Sequence, residues 1–387
     1  MAAMTALGSW AQGWPANCKD VMLQGFYWDS YADTKWTTLE SQADNLSGTF
    51  SLVWVPQSGW CNGTYQMGYA DIWWFDHHSA FGSQAELKSM ISTFKSKGIG
   101  TIEDVVINHK SGNSNWCDFP TETWSGHGTL NWSLADICAN DDGGDTKKNG
   151  YNVTGANDTG DDFGGSRDLD HTSANVQANI KLYLQFLKKE LGYVGFRYDM
   201  VKGYAPEYTG IYNASATPTY SVGEYWDTDV SKLTNWIDRT QANGGGGSAA
   251  FDFPLKYKIN DAFGNGRWAA LAEDYLTARD AYKRYAVTFV DNHDTGRSGE
   301  SPLNANVEAA NAFILTMPGT PCVFLRHWQL FETAIKRLAA ARRVVGINNM
   351  STIEQRYAQR NGFVLKVRGT EGEALCKYHR LPSSLCR

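Results

Sequence analysis

The chain has 387 residues, 42% of them hydrophobic and 20% charged, with only 10 Pro, which excludes a disordered or low-complexity protein and requires a large core. Lys plus Arg number 35 against 41 Asp plus Glu, giving a net charge of −6 with no basic block, so nucleic acid is a poor partner. No apolar run reaches the roughly 18 residues that cross a bilayer, and no membrane partner is expected.

The first 14 residues lack the basic and apolar regions of a signal peptide. Short apolar runs then recur at Val21–Trp28, Leu52–Pro56, Ile99–Ile107, Val194–Tyr198, Tyr220–Val222, Ala249–Phe253, Ala286–Val290 and Cys322–Leu325, and these read as strands. Amphipathic stretches at Gln84–Lys97, Ser173–Leu191, Asp229–Gln241 and Glu332–Val345 read as helices between them. Repeated strand-then-helix implies a parallel sheet, and eight such strands, several too apolar for a solvent face, predict a closed (β/α)8 TIM barrel of the α/β class. No GxGxxG follows the first strand, which argues against a dinucleotide site.

The rhythm breaks from Asn108 to Thr172, where 65 residues hold ten Gly and ten Asp. A segment that long and acidic needs a cation against self-repulsion, and it reads as a subdomain inserted after strand three. Gly244–Gly247 is expected to be a flexible surface connection, and the alternating runs Phe363–Arg368 and Ala374–Tyr378 predict a short antiparallel appendix. The expected organisation is therefore a barrel from 1–107 and 173–346, an insertion from 108–172, and a short C-terminal β domain from 347–387.

The 15 Trp, 19 Tyr and 17 Phe fit either an aromatic core or flat surfaces for sugars. The seven Cys are scattered without zinc spacing; Cys322 reads as a buried free thiol, and a Cys117–Cys138 pairing stays open. His77 and His78 have no ligand spacing around them and read as surface groups.

In a parallel barrel, chemistry sits at the C-terminal ends of the strands. Strand three ends in Asp104-Val-Val-Ile-Asn108-His109, strand four in Arg197-Tyr-Asp199, strand five in Glu224 and strand seven in His293-Asp294. Arg197 and Asp199, two apart on an extended strand, share a face and can pair. Gathering Asp199, Glu224 and Asp294 at one barrel mouth costs several kcal/mol unless cations or function compensate. Two carboxyls facing across a cleft suit glycoside hydrolysis, one as nucleophile or base and the other as proton donor.

The segments DVVINH (104–109), GFRYDMVKG (195–203), GEYW (223–226) and FVDNHD (289–294), in that order, closely resemble the α-amylase family of glycoside hydrolases, with a plant-like and Bacteroidetes-like flavour. MLQGFYWD (22–29), MGYADIWWFD (67–76), RDLDH (167–171) and MPGTPCVF (317–324) extend the resemblance across roughly residues 20–346. It implies an endo-acting retaining enzyme on starch, glycogen or maltooligosaccharides, with Asp199 as nucleophile, Glu224 as general acid and base, and Asp294 binding substrate hydroxyls. Arg197 would orient Asp199, His109 and His293 would bond the sugar, Tyr69 would stack on it, and Lys202 would touch it on the leaving-group side. Trp226 and Trp28 would be sugar platforms or, equally, barrel packing. A structural Ca²⁺ would take the side chains of Asn108, Asp158 and Asp168 with the carbonyls of Asp161 and Gly203. The resemblance further implies a secreted monomer. Relatives that transfer glucosyl chains or trim oligosaccharides share these segments, and a catalytically silent glucan-binding barrel is the remaining alternative, although all three acids are present.

Overall fold

Eight short parallel strands close on themselves in chain order: β1 (Met22–Gln24), β2 (Leu52–Val55), β3 (Gly100–Val105), β4 (Gly195–Tyr198), β5 (Tyr220–Gly223), β6 (Ala249–Phe251), β7 (Ala286–Phe289) and β8 (Thr320–Phe324). β8 returns to β1 through Met22 opposite Cys322. The computed structural model describes residues 13–61, 66–359 and 361–379; the first 12 residues, the last eight and Cys386 among them lie outside the described residues. Leu52–Val55 and Gly195–Tyr198 are buried along their whole length, as strands covered by helices outside and side chains inside must be. The expected first strand shrinks to Met22–Gln24 because Phe26 to Trp28 leave the ladder towards the barrel mouth.

The connecting helices start where their capping residues dictate. Ser83 and Glu86 form a capping box ahead of Gln84–Ser96, Ser173 caps Ala174–Phe186, and Asp229 caps Val230–Thr240. The second of these ends as a π-helical turn, Leu187–Leu191, stopped by Gly192 at φ 96°. The last helix begins at Leu325, before the expected Glu332, because Leu325, His327 and Trp328 bury against the barrel; its backbone breaks at Phe331.

Three expectations are corrected. Gly246 and Gly247 are buried rather than a flexible surface link, and a Cβ at Gly246 would lie 2.5 Å from that of Asn213, so this glycine permits close packing of a neighbouring helix. Cys117 and Cys138 are free thiols. His77 is fully buried, taking Ser58 Oγ at 2.9 Å on Nδ1 and the Trp74 carbonyl at 3.0 Å on Nε2, and burial lowers its pKa to about 4. His78 is exposed and paired with Asp76, as a surface group should be.

The insertion leaves after β3 and is stitched back by a two-residue ladder in which His109 faces Asp168 and Lys110 faces Arg167. At the far end of the chain, β9 (Thr352–Gln359), β10 (Gly362–Arg368) and β11 (Glu373–His379) form an antiparallel sheet. Its Phe363, Leu365, Val367 and Tyr378 pack with Phe263, Trp268 and Phe313 in a second core beside the barrel. Among the described residues this sheet has three strands.

Candidate functional site

β3 and β4 lie in register with Asp104 opposite Arg197, and both side chains are buried. Arg197 gathers three carboxylates. Nη1 donates to Asp104 Oδ1 at 2.7 Å and to Asp199 Oδ1 at 2.6 Å, while Nη2 lies 2.6 Å from Glu224 Oε1 in a charge contact without hydrogen-bond alignment. The other Glu224 oxygen accepts from the Met200 N–H at 3.2 Å, an amide aimed by the left-handed backbone of Met200, φ 42°. Burial raises the Glu224 pKa well above the ordinary carboxylate value; the Arg197 charge opposes the shift, and Asp199 and Asp294 reinforce it. Burial also raises Asp104, again against the Arg197 charge.

Asp294 completes the ring of acids. It lies at the end of a turn in which Asn292 Oδ1 accepts from the N–H groups of Asp294 and Thr295. Its carboxylate is 3.2 Å from His293 Nε2 and 3.1 Å from Arg297 Nη2. His293 is fixed from both sides, by Gln24 Nε2 at 2.9 Å and by the Tyr69 hydroxyl at 2.7 Å, and Tyr69 also donates to Asp104 at 2.8 Å. Burial, with the Arg197 charge, pushes the His293 pKa well below its usual value, so the ring is neutral. Trp28, Met67, Tyr69 and Phe163 line a groove leading to these groups.

The other expected substrate residues are distributed around this centre. His109 takes the Tyr69 carbonyl at 2.9 Å and stacks on Phe163. Lys202 reaches the Trp226 carbonyl at 3.4 Å and lies between Asp161 and Asp227, at 3.7 and 3.8 Å. Trp226 is half-buried, stacked on Phe253 and bonded to the Tyr257 hydroxyl at 2.8 Å, so it is a held wall.

Behind the carboxylates lies an acidic cluster able to hold a metal ion: one oxygen each of Asp141, Asp162 and Asp168 lie within 4.8 Å of one another. Asp141 is already occupied by Arg167, Thr146 and the Asp168 N–H, and Asp162 by the N–H groups of Asp142 and Gly143. The unsatisfied oxygens lie elsewhere. Asn108 Oδ1 and Asp158 Oδ2 are buried with no hydrogen-bond partner. Asn108 Nδ2 donates to Asp168 Oδ1 at 3.0 Å, and burial with the nearby Asp158 and Asp141 charges raises the Asp168 pKa well above normal. Asp161 donates its N–H to the Lys202 carbonyl at 2.9 Å, and a Cβ on Gly203 would fall 2.0 Å from Asn108 Oδ1, so only glycine leaves this approach open. Orphaned buried oxygens on one carboxamide and one carboxylate, beside a second carboxylate, fit a hard, oxygen-seeking cation.

No protein-family model matches this chain. It is 30% identical over 390 residues to a probable α-amylase 2 of Arabidopsis thaliana, covering 92% of this chain and 87% of that one. The chain belongs to the α-amylase family of glycoside hydrolases. It is also 31% identical to a glucan 1,4-alpha-maltotetraohydrolase of Stutzerimonas stutzeri, covering 91% of this chain but only 66% of that relative's length. The fold is shared with the α-amylase of Geobacillus thermoleovorans solved with acarbose, at TM-score 0.68 and 16% identity, over 92% of this chain and 86% of that one.

The family resemblance draws attention to strand-end residues and passes over their supports. Asp104 opens the segment 104–109, but its pairing with Arg197 appears only in the strand register. Gln24 and Arg297 approach the site from β1 and from the loop after β7; Gln24 lies in a segment of the resemblance without its role being given, and nothing in the local sequence of Arg297 announces it.

Proposed function

We propose that this chain is an endo-acting α-amylase that hydrolyses α-1,4-glucosidic bonds in starch and related glucans with retention of configuration. The observation that carries this reading is the pair Asp199 and Glu224, held on the two terminal nitrogens of one buried guanidinium, with burial raising the Glu224 carboxyl well above the ordinary carboxylate value. Such sharing favours the close carboxyl pair, roughly 5 Å apart, of a retaining enzyme. Asp199 attacks the anomeric carbon while Glu224 gives its proton to the departing glucan oxygen, leaving a β-glucosyl ester. Glu224 then takes a proton from water, whose oxygen displaces Asp199 and restores the α configuration.

Asp294 and neutral His293 bind hydroxyls of the scissile glucose, Tyr69 and His109 flank it, and Lys202 and Trp226 bound the leaving-group side. Asn108, Asp158 and Asp168, with the carbonyls of Asp161 and Gly203, would hold Ca²⁺, which would neutralise their repulsion and tie the insertion to the loop after Asp199. The barrel (1–107, 173–346), insertion (108–172) and C-terminal sheet (347–387) form the working division, and a polymeric substrate favours an extracellular monomer. Soluble starch should yield mixed α-maltooligosaccharides early in the reaction. Products longer than a maltoheptaose substrate would instead point to glucosyl transfer, and binding without cleavage to a silent barrel.

A further inference from the structure

Arg297 lies outside every segment that carries the family resemblance, yet it touches two sides of the cleft. Its guanidinium carbon lies 4.2 Å over the centroid of the Trp28 ring, and its Nη2 lies 3.1 Å from Asp294 Oδ1. Trp28 lines the groove, and its plane runs within 6° of Tyr69 and within 5° of His293. The turn that brings Arg297 back over the cleft depends on Gly296: a Cβ there would meet the Asn292 carbonyl at 2.8 Å and Phe324 at 2.9 Å. The Arg297 Nε is buried and has no partner, so the guanidinium is held by the ring beneath it and by carboxylates, with Glu300 at 3.7 Å on the outer side.

We propose that Arg297 is a positioning residue that ties the Trp28 ring to the Asp294 carboxylate, keeping the acid charged and the ring flat against the cleft. This rests on the hydrolase reading above. Two different interactions are involved, and they separate. The charge acts on Asp294, which Arg197, His293, Tyr69 and Glu224 also face. Burial raises Asp294, and the Arg197 and Arg297 charges oppose that rise, so removing one favours the protonated acid, a weaker partner for sugar hydroxyls. The planar cation acts on Trp28 through its π face, a contact that a lysine makes less well than a guanidinium.

The test compares Arg297→Met, Arg297→Lys and Arg297→Ala in maltoheptaose hydrolysis across pH. Met keeps an apolar stem on Trp28 without charge, so the acid limb of kcat/KM should rise by about half a pH unit while KM at the optimum stays near wild type. Lys keeps the charge and loses the planar stack, so the limb should stay put while KM rises about threefold. Ala should show both changes. Equal behaviour of Met and Lys, or an unmoved limb in Met, overturns the proposal. The same substitutions in an Asp199→Asn background, read as maltoheptaose affinity against pH, give the answer without turnover. Binding without cleavage in the parent would defeat the hydrolase reading while this comparison still decides the role of Arg297; no binding at any pH defeats both.

Discussion

Glu224 Oε1 lies 2.6 Å from Arg197 Nη2, yet the Glu224 carboxyl remains well above the usual carboxylate range. Burial and two neighbouring acids outweigh one cation that is already shared with Asp104 and Asp199. A proton donor next to an arginine is therefore compatible with neutral pH. Glu224→Gln should cut kcat by about 100- to 10,000-fold while changing KM little, and should remove the alkaline limb of the rate profile. Steady-state kinetics on maltoheptaose across pH checks both outcomes.

Arg197 contacts three buried acids at once, so its loss should be felt in folding as well as in turnover. Arg197→Met leaves Asp104, Asp199 and Glu224 without their shared cation, and a cost of about 3–5 kcal/mol is expected in urea unfolding at pH 7. The deficit should shrink at low pH, as the carboxylates take up protons. A deficit independent of pH would mean that lost packing, not charge, is responsible.

Chelation should act on the insertion first. If the site holds Ca²⁺ as proposed, its removal leaves the Asp158 and Asp168 charges to repel one another beside the orphaned oxygens of Asn108 and Asp158, so EGTA should lower Tm and open residues 108–172 to proteolysis before the barrel unfolds. Asp158→Asn should weaken the response to added Ca²⁺. Limited proteolysis with mass spectrometry locates the cuts, and an unchanged pattern would count against the assigned site.

Glu103, on the outer face of β3, offers a pH test away from the cleft. It accepts from the Ser58 hydroxyl at 2.6 Å and the Ser58 N–H at 2.9 Å, and burial raises its pKa to about 8. The folded state therefore holds a proton that the unfolded chain releases above an ordinary carboxylate pKa, and this group lowers stability as pH rises from about 4.5 towards 8. Glu103→Gln should lose less stability than wild type between pH 5 and 8, measured by urea unfolding at both.

The barrel strands were readable because burial on both faces makes them continuous apolar runs, as in Leu52–Val55 and Cys322–Phe324. The acids were readable because they end those runs. What escaped depends on contacts distant in sequence. Asp104 needs the β3–β4 register, and Gln24 reaches His293 across 269 residues. His77 has polar neighbours in sequence yet fills a buried gap between Ser58 and Trp74, and Gly246 packs on Asn213 from a run that reads as a loop. Local composition carries none of these tertiary relationships.

The most direct test of the central claim is the anomeric form of the first products from maltoheptaose, followed by proton NMR before mutarotation, with Asp199→Asn alongside. Double displacement through Asp199 predicts α products from the wild type and loss of turnover with retained maltoheptaose binding in the variant. First-formed β products, or substantial hydrolysis by Asp199→Asn, would contradict it.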